Sequence, residues 1–534
     1  MRSCSIENVT DTHVNYGQFI GKGRSGSVYK LHGPEGLIAR KIFTGSRAAK
    51  LLHLLFYGAP CDYIWCEAAI RAAFHRRRVL NRLVSFWFGN RLHMATTYAW
   101  GWNEEQKAWS LDTEFITGHP ARLYSPFLYG QKTEIYDLLG NILPKLQEYL
   151  TKAGFVGTVW QTGFGQPCAI PNFLCVSADS ECHHNRWAWI DAESGVPAIV
   201  SYDLRALFSF YVPQALKHRR ILFDDLAEPT LRAYLAVHDA ELRTHMDEET
   251  FAAFMQDVEA LTSAQHLWMQ ETRLTRSLGY SRAKGLITEE EYNSYLQRPT
   301  SWYLHLFTSH LYSLPHKLWP WLKDEGPEFL KLVNPARWIR FFFVLIFSRR
   351  YRLEASCAYT RFGIDEWKKS RRITEEQAEI LESELLTRDS NQYLADFGVH
   401  LSMKPLGWIL RVTLIPILLF FGVTSIEISG ILIVFMGTIL RTLYTFVRAV
   451  EDFFLRRGIP ILALLIAPIP SLGTLAYPCQ MLHKARKNHL ISQFIIYESC
   501  SAVAAHIPVW GGRDTLWDHR FNRLAHTIVG MSSD

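Results

Sequence analysis

No C-x-x-C pair and no evenly spaced cysteine framework occurs among the nine cysteines (4, 61, 66, 168, 175, 182, 357, 479 and 500) of this 534-residue chain. That excludes a disulfide scaffold and a structural zinc module with paired ligands, and suits free thiols in a reducing compartment. An excess of charge is missing too. Lys and Arg number 57 against 51 Asp and Glu, a formal +6, which argues against a dedicated nucleic-acid binder. The first twenty residues are polar and include Glu7 and Asp11, so no secretory leader is expected. There is no P-loop and no motif of a Ser/His/Asp or Cys/His hydrolase. At this length, several domains are expected.

What is present begins at Ile20. The stretch I-G-K-G-R-S-G-S-V-Y-K places Gly21, Gly23 and Gly26 at G-x-G-x-x-G spacing, with Val28 two residues on. It turns at Gly33-Pro34-Glu35-Gly36 and returns as L-I-A-R-K-I-F, with Lys41 inside an apolar strand. Such a pattern predicts two antiparallel strands joined by a tight turn. Glycines at those places let backbone lie against phosphates, and an ammonium on the next strand reaches the same charge. A glycine-bearing hairpin without a ligand is the plain alternative. The residues after Gly26 are strand formers, so a dinucleotide-binding turn, which opens a helix there, is not expected. With its valine and its A-x-K strand, the stretch resembles the glycine-rich loop and strand lysine of protein kinases.

The resemblance covers about 1–275 and implies a two-lobed kinase-like domain, α+β in class, with a small lobe about 15–117 and a large lobe about 118–275. It implies ATP and Mg²⁺ as ligands. A helix predicted over Asp62 to about Leu83 carries Glu67, which would hold Lys41 as an ion pair; an ordinary surface pair with Arg71 is the alternative. The run His75-Arg76-Arg77-Arg78 reads as a solvated face, or one that approaches an anionic membrane. Strands are predicted at Arg91–Trp100 and Ala108–Ile116. The second resembles the hinge that offers backbone groups to adenine, at Glu114, Phe115 and Ile116. Leucines and isoleucines from Ile135 to Leu150 predict an amphipathic helix kinked at Pro144.

Here the pattern departs from the family. In P-N-F-L-C-V at 171–176, Asn172 fits the metal-binding asparagine, yet Pro167 stands where the family has its catalytic aspartate. Thr151 to Ser177 contains no Asp, Glu or His at all. Gln161 and Gln166 remain as polar substitutes that orient a nucleophile but accept no proton at neutral pH. Cys175, Cys182, His183 and His184 offer zinc-ligand types, but with no second pair in spacing the polar turn 177–185 reads as a hairpin tip. After the apolar strand W-A-W-I comes D-A-E-S-G at 191–195, which resembles the metal-binding D-F-G. Asp191 would bridge Mg²⁺ to phosphate with Asn172 as the other ligand, and Glu193 would be a further ligand or a substitute base. A helix cap at Asp191 is the alternative. Only about a dozen residues reach Asp203, too few for a peptide platform, which points to a lipid, glycan or other small acceptor.

Beyond 275 no family is recognised. Residues 276–405 are aromatic and basic, and Thr288 and Thr374 each open an acidic helix in a repeated capping pattern. The segment 337–350 suits an interfacial or a buried helix. From 406 to 534, two apolar runs and a third run with four prolines predict a membrane domain with two spans and a re-entrant or third segment. The sequence thus predicts a multi-pass protein in a lipid bilayer, its kinase-like domain in the cytoplasm. It would be a phosphotransferase on a lipid, glycan or protein acceptor. A nucleotide-binding pseudokinase and a nucleotidyl transferase are the alternatives.

Overall fold

Alternating apolar residues and a glycine-paired turn fold the glycine-rich stretch into strands β1 (Gln18–Lys22), β2 (Ser27–Gly33) and β3 (Gly36–Ile42). Gly33 pairs with Gly36, which adopts φ +125°, a conformation that a side chain would strain. The computed structural model that shows this describes residues 17–34, 36–127, 134–162, 170–178, 185–198, 204–308, 344 and 348–387. It also describes positions within 390–397 and 419–469, and residues 490–505, 512–513 and 515–530. The chain is α+β, with a sheet-bearing N-terminal region and a helical C-terminal part. It divides into one unit of 1–123, 131–306 and 504–519, and another of 124–130, 307–503 and 520–534.

In the first unit, β1, β2 and β3 join β5 (Thr97–Asn103) and β6 (Ala108–Glu114) in a sheet of order β1-β2-β3-β6-β5, antiparallel throughout. A second sheet runs β4 (Leu92–Met94), β9 (Asn185–Trp189), β8 (Phe173–Ala178), β7 (His119–Pro120), with β4 parallel to β9. Helix α1 (Arg47–Tyr57) is capped by the Ser46 hydroxyl and stopped by Gly58 at φ +80°. Helix α2 (Glu67–Phe88) follows a 3₁₀ turn at Asp62–Ile64 and runs five residues past the predicted end, to a stop at Gly89. One continuous core joins both sheets to α2 through Ile42, Ile70, Leu80, Leu111, Phe173 and Trp189.

The predicted helix near Pro144 is two helices, α3 (Glu134–Asp137) and α4 (Leu143–Lys152), joined by a π-turn over Leu138–Ile142. The same device recurs where α6 (Leu204–Ala206) meets α7 (Val212–Lys217) through a π-turn at Leu207–Tyr211, just before Pro213. Proline offers no N–H and crowds the carbonyl four residues back, so the helix widens to an i→i+5 bond in the preceding turn. That bond runs from Leu143 to Leu138 in one case and from Val212 to Leu207 in the other. Further helices are α5 (Val159–Thr162), α8 (Glu228–Val237), α9 (Asp239–His245), α10 (Glu248–Met269), α11 (Arg273–Ala283) and α12 (Glu289–Gln297). α10 packs along α2.

The second unit contains α13 (Arg349–Lys369), α14 (Glu375–Leu385), α15 (Ile461–Ile466) and most of α16 (Leu490–Ala505), while α17 (Leu516–Gly530) begins in the first unit and ends in the second. Ile364, Trp367, Leu381, Ile491 and Phe494 form its core. The two capping boxes are present: Thr288 with Glu291 opens α12, and Thr374 with Gln377 opens α14. Most of 337–350 lies outside the described residues, but Ser348 caps α13, so Arg349 and Arg350 begin a helix.

The multi-pass membrane placement is corrected. Among the described residues no helix is long and apolar enough to cross a membrane. Most of the first two apolar runs lies outside the described residues. Gly422 takes φ +68° in the first run, and α15, in the proline-bearing run, is only six residues long.

Candidate functional site

Strand β3 carries Lys41 opposite Val28 of β2 and Leu111 of β6. Its Nζ lies 2.5 Å from Asp191 Oδ1 and 3.3 Å from Glu193 Oε2. The ammonium therefore sits between two carboxylates 150 and 152 residues away in sequence. Asp191 stands two residues past the end of β9, and its Oδ1 also accepts the Glu193 N–H at 3.2 Å, which folds D-A-E into a tight turn. Glu193 is fully buried, whereas the Asp191 side chain keeps 27% of its surface exposed.

Glu193 is anchored from the other side by Arg77 of α2. Arg77 Nε donates to Oε1 at 2.6 Å, and Nη2 donates to Oε2 at 3.1 Å and to the Ile190 carbonyl at 2.7 Å. Burial alone would raise the Glu193 carboxyl, but Arg77 and Lys41 outweigh it and hold the group below the usual carboxylate range. Burial pushes Asp191 up, and Lys41 offsets only part of that rise, to which Glu193 adds. The pair thus has unequal tasks. Glu193 is a locked anion; Asp191 is the more open oxygen donor.

The glycine turn closes beside this cluster. Gly23 donates to the Gly26 carbonyl at 2.8 Å, while the Arg24 and Ser25 carbonyls accept from Ser46 and Gly45. A side chain at Gly26 would lie 2.1 Å from the Ile42 carbonyl oxygen, so this glycine serves the close approach of β2 to β3. At Gly21 a methyl group would meet no atom of the described residues within 4 Å, and at Gly23 it would meet the Gly26 carbonyl at 3.8 Å. Gly195 approaches Arg24, with 3.0 Å between its would-be Cβ and that of Arg24. The turn therefore stands over the D-A-E-S-G segment.

Asn172 ends a 3₁₀ turn, and its carbonyl accepts the Ile190 N–H at 2.9 Å, one residue from Asp191 across the β8–β9 pair. Asp191 and Asn172 offer oxygen donors, the set that suits Mg²⁺. Of the hinge residues, Glu114 donates its N–H to Thr96 and Phe115 donates to Leu37. Ile116 lies past the end of β6, and among the described residues its N–H makes no such bond to a neighbouring strand. Glu67 is corrected: it is an exposed first-turn residue of α2 and lines a separate surface pocket with Trp65, Trp102 and Glu271. Gln161 lies on α5 with its side chain outside the described residues, and Gln166 and Asp203 lie outside them altogether.

No protein-family model, curated protein or solved structure matches this chain.

The reading of His75-Arg76-Arg77-Arg78 as a solvated face is also corrected. Arg76 and Arg77 are fully buried, and His75 and Arg78 share Asp257 of α10. Arg76 donates to Tyr63 Oη at 2.6 Å and to the Asp224 carbonyl at 3.1 Å. Asp224, itself buried, accepts from Tyr63 Oη at 2.5 Å and from the Ser194 N–H and hydroxyl at 2.8 and 2.5 Å. Two adjacent arginines thus anchor two adjacent residues, Glu193 and Ser194, one directly and one through Asp224. A sequence sign existed: α2 has apolar residues on both sides of the basic run, and four consecutive residues of a helix cannot all face water when its other faces are packed.

Proposed function

We propose that the N-terminal unit binds a nucleoside triphosphate with Mg²⁺ between the Gly21–Gly26 turn and the Asp191 segment, and transfers a phosphoryl group to a compact acceptor such as a small molecule, glycan or lipid headgroup. The observation that carries this reading is the convergence of Lys41 and Asp191 at 2.5 Å beside a glycine turn with open space at Gly21. In this reading Lys41 holds phosphate oxygens, and Asp191 with Asn172 would hold Mg²⁺. The metal would supply charge neutralisation at the transferring group. Arg77 and Glu193 are positioning residues that set the Lys41 ammonium.

Glu193 is not the base, because Arg77 and Lys41 occupy both of its oxygens. Transfer then rests on alignment and charge, which a loose phosphoryl transition state tolerates. The helix α6 begins at Leu204, only thirteen positions past Asp191, which supports a compact acceptor over an extended peptide. Nucleotide binding without transfer is the second reading, favoured by the absence of Asp, Glu and His from 151–177.

The test uses the full chain with Mg²⁺ and ATP labelled at either the α- or the γ-phosphate. Thermal stabilisation that needs both Mg²⁺ and ATP, lost in Lys41→Met and Asp191→Asn, is expected, with label from the γ-phosphate reaching an acceptor. Stabilisation without product selects the second reading, and α-label in product selects nucleotidyl transfer. No Mg²⁺-ATP response in the parent chain overturns the proposal.

A further inference from the structure

Away from that cluster, three ligand types converge where β7, β8 and α3 meet. β7 pairs with β8 so that His119 lies directly opposite Cys175, which puts both side chains on one face of the sheet. Glu134, the first residue of α3, reaches the same place, with Oε2 3.7 Å from His119 Nδ1. One donor atom from each of the three lies within 4.8 Å of the others. We propose that His119, Glu134 and Cys175 form a transition-metal site suited to Zn²⁺, with the fourth position left to water.

Metal–ligand bonds of about 2.0–2.3 Å at tetrahedral angles put ligand atoms roughly 3.3–3.7 Å apart, so the most separated donors need to close by about 1.5 Å at most. An ion pair between His119 and Glu134 is the simpler account of two of these residues. Cys175 on that account is an ordinary thiol of the hydrophobic core, and what favours a metal is that its sulfur stands with the other two donors at one point. Cys175 is 1% exposed, and burial, with the nearby Glu134, pushes its thiol up to about 12, so without a metal it is neutral. On binding, the thiol proton leaves to solvent and the thiolate takes its place on the metal.

The Nδ1 of His119 stands 2.9 Å from the Pro120 carbonyl and 3.7 Å from Glu134 Oε2, so the ring is held at the cluster with one nitrogen within 4.8 Å of the Glu134 and Cys175 donors. Glu134 keeps its orientation by accepting the Arg122 N–H at 3.1 Å, and the Arg122 side chain stands 3.9 Å from its other oxygen. The site also has a structural logic. β7 is two residues long and one is proline, so among the described residues the connection from β6 to α3 has little backbone pairing of its own. A metal bridging β7, β8 and α3 would supply that tie. The mixed sulfur, nitrogen and oxygen set selects against Mg²⁺ and Ca²⁺, which separates this site from the oxygen donors at Asp191 and Asn172.

The test is a Co²⁺ titration of the full chain after chelator treatment. Expected are one equivalent bound, visible bands of four-coordinate cobalt and a near-ultraviolet thiolate charge-transfer band. Zn²⁺ should displace it, and excess Mg²⁺ should not. Cys175→Ala should lose the charge-transfer band, and His119→Ala should weaken binding by about tenfold or more. Absence of the band in the parent chain, or its survival in Cys175→Ala, overturns the site. Should Cys175→Ala fail to fold, His119→Ala, at a partly exposed position, decides: unchanged cobalt affinity refutes the proposal.

Discussion

Replacing Arg77 by methionine keeps the aliphatic stem in α2 and removes the fork that holds Glu193. Three hydrogen bonds vanish, two to the carboxylate at 2.6 and 3.1 Å and one to the Ile190 carbonyl at 2.7 Å. What remains for a fully buried anion is Lys41 at 3.3 Å, an ammonium already shared with Asp191. Removing one partner of a buried ion pair costs about 3–5 kcal/mol, because the surviving charge stays out of water. Arg77→Lys should fall between parent and methionine, since an ammonium cannot make the two-point contact. In Arg77→Met/Glu193→Leu both charges are gone, and at least half of the loss should return, because apolar replacement of a buried pair is often close to neutral. The two-unit chain need not unfold in one step, so the assay is hydrogen exchange of α2 and β3 amides in the full chain. A single variant within about 1 kcal/mol of the parent, or a double variant worse than the single, would refute the idea that this pair anchors the site.

Three other outcomes follow from the same cluster. Gly26→Ala should destabilise the fold by about 1–3 kcal/mol through its clash with the Ile42 carbonyl, whereas Gly21→Ala should melt like the parent yet lose part of its Mg²⁺-ATP stabilisation; equal melting of both would contradict the assigned roles. His53, buried against Phe223, stays neutral down to about 3 because burial lowers its pKa from 6.5. Between those values the unfolded chain binds the extra proton, so stability declines as pH falls below about 6.5, and His53→Leu should shift the acid midpoint of unfolding downward. Glu67→Ala should leave the Mg²⁺-ATP response intact, because ten helical residues, about 15 Å, separate it from Arg77. Loss of the response in that variant would restore the helix-glutamate reading.

Elements whose signals are local were legible before any coordinates. The β2–β3 turn is set by glycines at 33 and 36, the capping boxes by Thr288 and Thr374, and the end of β9 by an apolar run that stops at Asp191. Each depends on neighbours a few residues apart, where backbone sterics and short-range hydrogen bonds decide the outcome. Even the π-turns at 138–142 and 207–211 trace to the prolines that follow them. The partners of buried charge were not legible. Arg77 meets Glu193 across 116 residues and Arg76 meets Asp224 across 148, so a basic run that looks solvated is interior. The multi-pass expectation rested on hydropathy after 406, which reports that a residue leaves water but not the length of helix that it joins, and among the described residues no helix is long and apolar enough to cross a membrane. Sequence alone determined the β2–β3 hairpin and the helix caps, but not that the strand predicted at Arg91–Trp100 divides into β4 and β5 of two different sheets. Only the tertiary structure decided which carboxylate each cation neutralises, because ion pairing in a dry interior is a property of distance in space, and the chain supplies that distance only once it is folded.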